Sequence, residues 1–469
     1  MPNNSKRLPM PDASAYLERM RAGQLTASAL LEQQLGQLQL SQPKLNACTT
    51  ILDEIARRQA FERRPGPLCG LPVTVKETFA LAGTSITAGS LRMRPQQQGS
   101  DAAVVRRLRD AGAIIVARSN IPEFAMTGET SNPRFGRTNN PLDPERVAGG
   151  STGGEGALVA SGASLIGLGS DILGSIRIPA AFCGVVGFKP ASGAVDKQGT
   201  WPSVAGYSAN WLAVGPLARS VRDARLVYEV IAREPLRAPA PLEGLRLLVP
   251  DRFPYSVEQP CIQEALSAAL SFLVEAGLRP ETPAFDDVPR MFVRSADVIL
   301  YDFEQDWHTL LSPDGAPKFS VWREAWHQVT GRPGIDPGLF TWILHGATLG
   351  RLSKPRDVRQ MTRLAAFFDS ARNHYRAMLG EDGILVLPTI GMLAPKHGQM
   401  NRKTLRPGLN KLMTPLTFCN YLDLPAMAIP AWRFADPATG LPPSVMIVCA
   451  PGAESRLFDV AAALEPELN

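Results

Sequence analysis

The chain has 469 residues, 45% of them hydrophobic and 20% charged, with a net charge of +5; this is the composition of a folded globular protein with ample material for a core. The small charge and the interleaving of basic with acidic residues leave no nucleic-acid footprint, and no apolar run approaches the roughly 18 residues that a membrane-spanning helix needs. The opening MPNNSKRLPM has no apolar core, so no secretory signal is expected, and six dispersed cysteines without a CxxC pair point to reduced packing residues in a cytoplasmic protein.

Residues 12–62 are read as two helices. The second opens at Thr26, a capping residue, and places Leu30, Leu31, Leu35 and Leu38 on one face. A short apolar strand at 71–75 ends in Lys76. A helix is predicted at 100–112, with Val104, Val105 and Leu108 on one face and Gly112 as its stop, followed by a buried strand at 114–117. This alternation argues for an α/β fold. The stretch 148–187 then stands apart. It holds eleven of the chain's 40 glycines, interleaved with Leu, Ile and Val, which suggests backbone packed closely around something and not a flexible linker. Within it a small-residue helix is predicted at 155–164, a strand at 164–169, a loop to Ser175 and a strand at 184–188. Residues 232–245, rich in Pro and Ala, read as a linker. A strand at 245–249 and a helix at 260–276 restart the rhythm. Residues 291–350 gather four of the seven tryptophans (Trp307, Trp322, Trp326, Trp342) and read as helical, their aromatics either filling a core or lining an acyl or aryl pocket. A helix at 355–379, a strand at 384–388, a basic loop at 391–411, a strand at 445–449 and a helix at 454–464 close the chain.

Three kinds of chemistry can be read into the glycine-rich stretch. A phosphate cradle needs GxxxxGK[ST], or GxGxxG after a strand, and neither is present. Gly149-Gly150-Ser151-Thr152-Gly153 matches GxSxG, but a nucleophile elbow needs a buried strand directly before its serine, and residues 140–146 read as loop. The third is a serine served by a lysine. Lys76 ends an apolar strand, a setting that can bury its amine and favour the neutral form. Ser151 and Ser175, 24 residues apart, are both flanked by glycine and suited to tight, donor-rich turns. The five histidines show no HxxxH spacing, so no metal or other cofactor is expected.

On these residues the chain resembles the amidase signature family. A lysine after a short strand (Lys76), the run GGSTGG from Gly149 to Gly154 and the run DILGSIR from Asp171 to Arg177 match its pattern, as do flanks such as Ser131-Asn132-Pro133 and Gly187-Phe188-Lys189-Pro190. Glu155-Gly156-Ala157-Leu158 and the tail around 382–397 are similar to fatty-acid amide hydrolase 2-like amidases. The resemblance implies one α/β domain over 1–469, a large mixed twisted β-sheet covered on both faces by α-helices. Its parts would be amino-terminal helices at 12–62, a catalytic core at 70–230, a helical aromatic cover at 291–380 and a return to the sheet at 381–469.

The resemblance also implies an activity: hydrolysis of a small-molecule carboxylic amide by a monomer or homodimer. Ser175 would be the nucleophile, Ser151 the relay and a neutral Lys76 the base, with a cis peptide between Gly150 and Ser151. Backbone N–H groups of Ile172, Leu173, Gly174 and Ser175 would form the oxyanion hole. Thr152, Asp171 and Arg177 would support the loops, and Met126 and Thr127 would line the substrate pocket. Thr152 stands where the family has a serine and keeps the hydroxyl. Leu173 stands where it has a glycine, which a side chain tolerates only at negative φ or at the cost of strain. The rival reading within the fold is the A-type glutaminase subunit of a tRNA-dependent amidotransferase. The rival outside it, an interaction protein without catalysis, is disfavoured because Lys76, Ser151 and Ser175 are all present.

Overall fold

An 11-stranded sheet runs through the molecule. In chain order its strands are β1 (Cys48–Ile51), β2 (Pro72–Lys76), β3 (Ile114–Ser119), β4 (Ile166–Asp171), β5 (Val186–Lys189), β6 (Ala213–Ala218), β7 (Arg246–Leu248), β8 (Arg279–Glu281), β9 (Gly383–Pro388), β10 (Ala426–Pro430) and β11 (Ser444–Val448). Their spatial order is β1-β3-β2-β4-β6-β5-β10-β11-β9-β7-β8. The sheet is mixed: β3, β2 and β4 run parallel, as do β9, β7 and β8, while the strands between them pair antiparallel. The computed structural model describes residues 10–62, 64–312, 318–348, 350–400 and 409–469. Residues 1–9, where no secretory signal is expected, and 401–408 of the basic loop lie outside the described residues, as does the side chain of Trp307.

Alternation along the strands explains why helices cover both faces. On β3, Ile115 packs in a cluster with Val73 and Val75 of β2. Its neighbours Ile114 and Val116 pack in another, with Leu31, Leu35 and Leu158. Successive side chains point to opposite faces, so each face has its own apolar layer and needs its own cover. The first cluster draws on helices α1 (Ala13–Arg21) and α4 (Ala103–Asp110); the second draws on α2 (Ala27–Leu45), α3 (Asp53–Glu62), α5 (Gly153–Ala160) and α6 (Arg177–Cys183).

Several elements depart from the sequence reading. Residues 12–62 hold three helices and the strand β1, not two helices; β1 has four residues, too few to show a period. Thr26 does cap α2, accepting from Ala29 N–H. α4 starts at Ala103 without a side-chain cap, because its N-cap residue is Ala102; Asp101, one residue earlier, accepts from Ala82 N–H at 2.8 Å. Residues before Ser151, read as loop, form a two-stranded ribbon of Asn139–Asn140 with Asp143–Val147, still not the buried strand of an elbow. α6, β6 and β10 were absent from the sequence reading: α6 is buried all round and contains Pro179, so it shows no amphipathic period. Strands from both sides of 232–245 join one sheet, so that segment is a connection within the sheet.

Candidate active site

All five residues of β2 are buried. With Val73 and Val75 on one face, Thr74 and Lys76 point to the other, toward α5. Lys76 Nζ lies 2.7 Å from Ser151 Oγ, 3.0 Å from Ser170 Oγ and 3.3 Å from the Ser170 carbonyl oxygen. These partners accommodate either protonation state of the amine. An ammonium would donate to all three; a neutral amine would donate to the Ser170 carbonyl and hydroxyl and accept the Ser151 hydroxyl proton. Burial pushes the Lys76 amine down to about 7, with the nearby Asp171 carboxylate opposing the shift.

The peptide bond between Gly150 and Ser151 is cis, as the resemblance implies. A Cβ on Gly150 would come within 2.5 Å of the Thr127 carbonyl oxygen, so only glycine lets this turn press against residues 127–129. Thr152 fastens the turn to the next loop. Its N–H donates to the Ser175 carbonyl at 3.2 Å and its hydroxyl donates to the Ser170 carbonyl at 3.2 Å.

The loop from Asp171 to Ser175 is built on a buried carboxylate. Asp171 Oδ1 accepts from Gly174 N–H at 2.8 Å, and Oδ2 accepts from Ile176 N–H at 3.0 Å. Arg177 pairs with it at 3.1 Å, both side chains being fully buried, and Asn420 bonds both partners at 2.9 and 2.7 Å. Burial alone would raise the Asp171 carboxyl; the Arg177 guanidinium holds it well below the usual range. Gly174 has φ of +103°, a conformation that favours glycine. Leu173 is not among the residues with positive φ, so its side chain costs no such strain. Of the four expected oxyanion donors, Gly174 N–H is engaged by Asp171; the N–H groups of Ile172, Leu173 and Ser175 meet no acceptor among the described residues.

Ser175 opens onto a cavity of 190 Å³, whose walls include Met126, Thr127, Ile172, Leu173 and Trp342. No charged residue is among the described residues that line it. Lys76 and Ser151 lie behind this wall. The Ser175 hydroxyl makes no hydrogen bond to Ser151 in this structure, so the arrangement joins Lys76 to Ser151 directly and brings Ser175 alongside through Thr152. The aromatic segment divides: Phe292, Phe303 and Trp342 line the cavity, Phe319 and Phe340 are buried in the core, and Trp322 and Trp326 are exposed. Sequence reasoning missed Ser170, Glu155 and Asn420. Ser170 adjoins Asp171 in the same motif, and Glu155 is the one charged residue of an otherwise small and apolar helix. Asn420 lies 249 residues from Asp171, with no local signal.

A family model described as Amidase matches residues 29–458. The chain belongs to the Amidase family. Among its relatives, the A-type subunit of glutamyl-tRNA(Gln) amidotransferase from Anaeromyxobacter sp. (strain K) is 32% identical to this Amidase, over 95% of this chain and 94% of the relative. Fatty-acid amide hydrolase 2-A of Danio rerio is 29% identical, over 96% of this chain and 87% of the relative. A solved structure of 6-aminohexanoate cyclic dimer hydrolase with its substrate superposes with a TM-score of 0.80 at 25% identity, covering 98% of this Amidase and 97% of that chain.

Proposed function

We propose that this Amidase is a serine hydrolase that cleaves an uncharged carboxylic amide through an acyl-enzyme. Ser175 Oγ attacks the amide carbonyl as Ser151 takes its proton and passes its own to neutral Lys76. The N–H groups of Ile172, Leu173 and Ser175 hold the oxyanion. Gly174 joins them only by releasing Asp171. The C–N bond then breaks, and Lys76 returns the proton through Ser151 to the leaving nitrogen. Water, deprotonated by the same relay, attacks the acyl carbon; the bond to Ser175 Oγ breaks, the relay returns the proton to that oxygen, and the acid leaves as its carboxylate. The observation that carries this reading is Lys76 Nζ, buried and shifted toward its free base, 2.7 Å from Ser151 Oγ. Attack by Ser175 requires its hydroxyl to turn from the cavity toward Ser151. Hydrolysis of a neutral amide by wild type and its loss in Ser175→Ala test the reading; equal activity in the two would overturn it.

The glutaminase reading draws on the amidotransferase relatives. Glutamine carries an α-ammonium and an α-carboxylate, and burying both without charged partners is costly. The described residues that line the cavity carry no charge, which favours a neutral amide with an apolar acid part. Activity of the isolated protein on glutamine, and none on apolar amides, would reverse that choice. No helix among the described residues is long and apolar enough to cross a membrane. The same reading has the enzyme act in the cytoplasm, which the dispersed free cysteines fit, as a monomer or homodimer.

A further inference from the structure

Glu155 sits in the first turn of α5 and is fully buried. Beneath it lies the face of β2 that carries Lys76, and Thr74 Oγ1 is hydrogen-bonded to Glu155 Oε2. The direction of that bond follows from counting protons. The Ile166 carbonyl oxygen can only accept. Ser164 Oγ donates to it at 2.7 Å, which uses the one serine proton. Ser164 Oγ also lies 3.0 Å from Thr74 Oγ1, so this contact needs the threonine proton. The alternative route for that proton, to Ile166 O, is 3.4 Å long and leaves two hydroxyl lone pairs facing each other. Thr74 then has only a lone pair to offer Glu155, and the bond between them needs a proton on Glu155 Oε2.

We propose that this donor chain, Glu155 to Thr74 to Ser164 to Ile166, holds Glu155 as a neutral carboxylic acid, and that Glu155 is thereby a positioning residue that keeps Lys76 a free base. The second half rests on the reading of Lys76 as the base. Burial pushes the Glu155 carboxyl up to about 8, in the same direction. The groups that face it are few. Lys76 comes from β2, the Ser119 hydroxyl from β3 and the Cys48 thiol from β1. Asp171 at the end of β4 is committed to Arg177 of α6, and β6 brings no titratable side chain. An ionised Glu155 would have the Ser119 hydroxyl and the first turn of α5 beside it but, among the described residues, no cation other than Lys76 to pair with, and would draw a proton onto Lys76.

Two measurements test this. Infrared difference spectra between wild type and Glu155→Gln read the carboxyl without any substrate. A protonated-acid C=O band in wild type at neutral pH, absent from the variant, is expected; no such band would overturn the proposal even if the enzyme is active. An inactive protein that shows the band would sink the amidase reading and leave the proton on Glu155. The second measurement is the pH profile of kcat/KM. Ser164→Ala frees the Thr74 proton to donate to Glu155, favours the carboxylate and moves the acid limb up by about one pH unit. Glu155→Gln keeps a neutral donor toward Thr74 and leaves the limb in place, and the double variant removes the Ser164→Ala shift. A Ser164→Ala limb that does not move, or a Glu155→Gln limb that falls by about a unit as loss of a native anion requires, would contradict the proposal.

Discussion

Lys76 Nζ lies 2.7 Å from Ser151 Oγ, and both side chains are buried. A lysine there carries its proton at a desolvation cost, which is why its amine is pushed down to about 7. The free base forms as pH rises through that value, so kcat/KM is expected to climb through about pH 7 on an acid limb that belongs to Lys76. Lys76→Met should lower kcat/KM by roughly 10²–10⁴-fold and abolish that limb, leaving a residual rate that depends on hydroxide. A variant with the wild-type limb intact would assign it elsewhere.

The Asp171–Arg177 pair holds the loop that presents Ser175. Removing one partner of a fully buried pair leaves an uncompensated charge, at a cost of about 3–5 kcal/mol. Arg177→Met is therefore expected to lower the denaturation midpoint strongly, and Asn420→Ala less so, since it removes hydrogen bonds only. Chemical denaturation of both variants checks the order; an Arg177→Met protein as stable as wild type would mean that the pair is dispensable.

Trp342 closes one side of the cavity. Trp342→Ala should extend the preferred acyl chain, each further methylene buried being worth about 0.8 kcal/mol. The check is kcat/KM across straight-chain amides of graded length for both proteins. An unchanged optimum would place the acyl group elsewhere.

Leu173 packs on the cavity at a backbone angle that needs no glycine. Leu173→Gly consequently relieves no strain and adds chain freedom, worth about 0.5–1 kcal/mol against the ordered loop. A modest fall in kcat with wider acceptance of bulky acids is expected from steady-state kinetics on a branched and an unbranched amide. A rise in kcat would show that the side chain obstructs the oxyanion site.

The parts of the site that lie in contiguous runs were readable from sequence. GGSTGG and DILGSIR mark their own turns, because glycine at 150 and 174 answers to a close approach and a positive φ that few other residues tolerate. Lys76 was readable because an apolar strand runs straight into it. What depends on the alternation of strands was not. Ser170 reaches Lys76 only because β4 lies beside β2, and the proton on Glu155 follows from where Thr74 and Ser164 stand in space. Asn420 arrives from a helix packed hundreds of residues later. The missed elements are of two kinds, strands too short to show a period, such as β1, and helices buried all round, such as α6, where no polar face marks the turn.

Ser175 is the group on which the proposed chemistry turns, because it takes the acyl chain. The most direct test is mass spectrometry of the protein after reaction with a fluorophosphonate, with Ser175→Ala and Lys76→Met in parallel. One adduct on the peptide carrying Ser175, missing from Ser175→Ala and much slowed in Lys76→Met, is the predicted result. An adduct on Ser151, or equal labelling of wild type and Ser175→Ala, would contradict it.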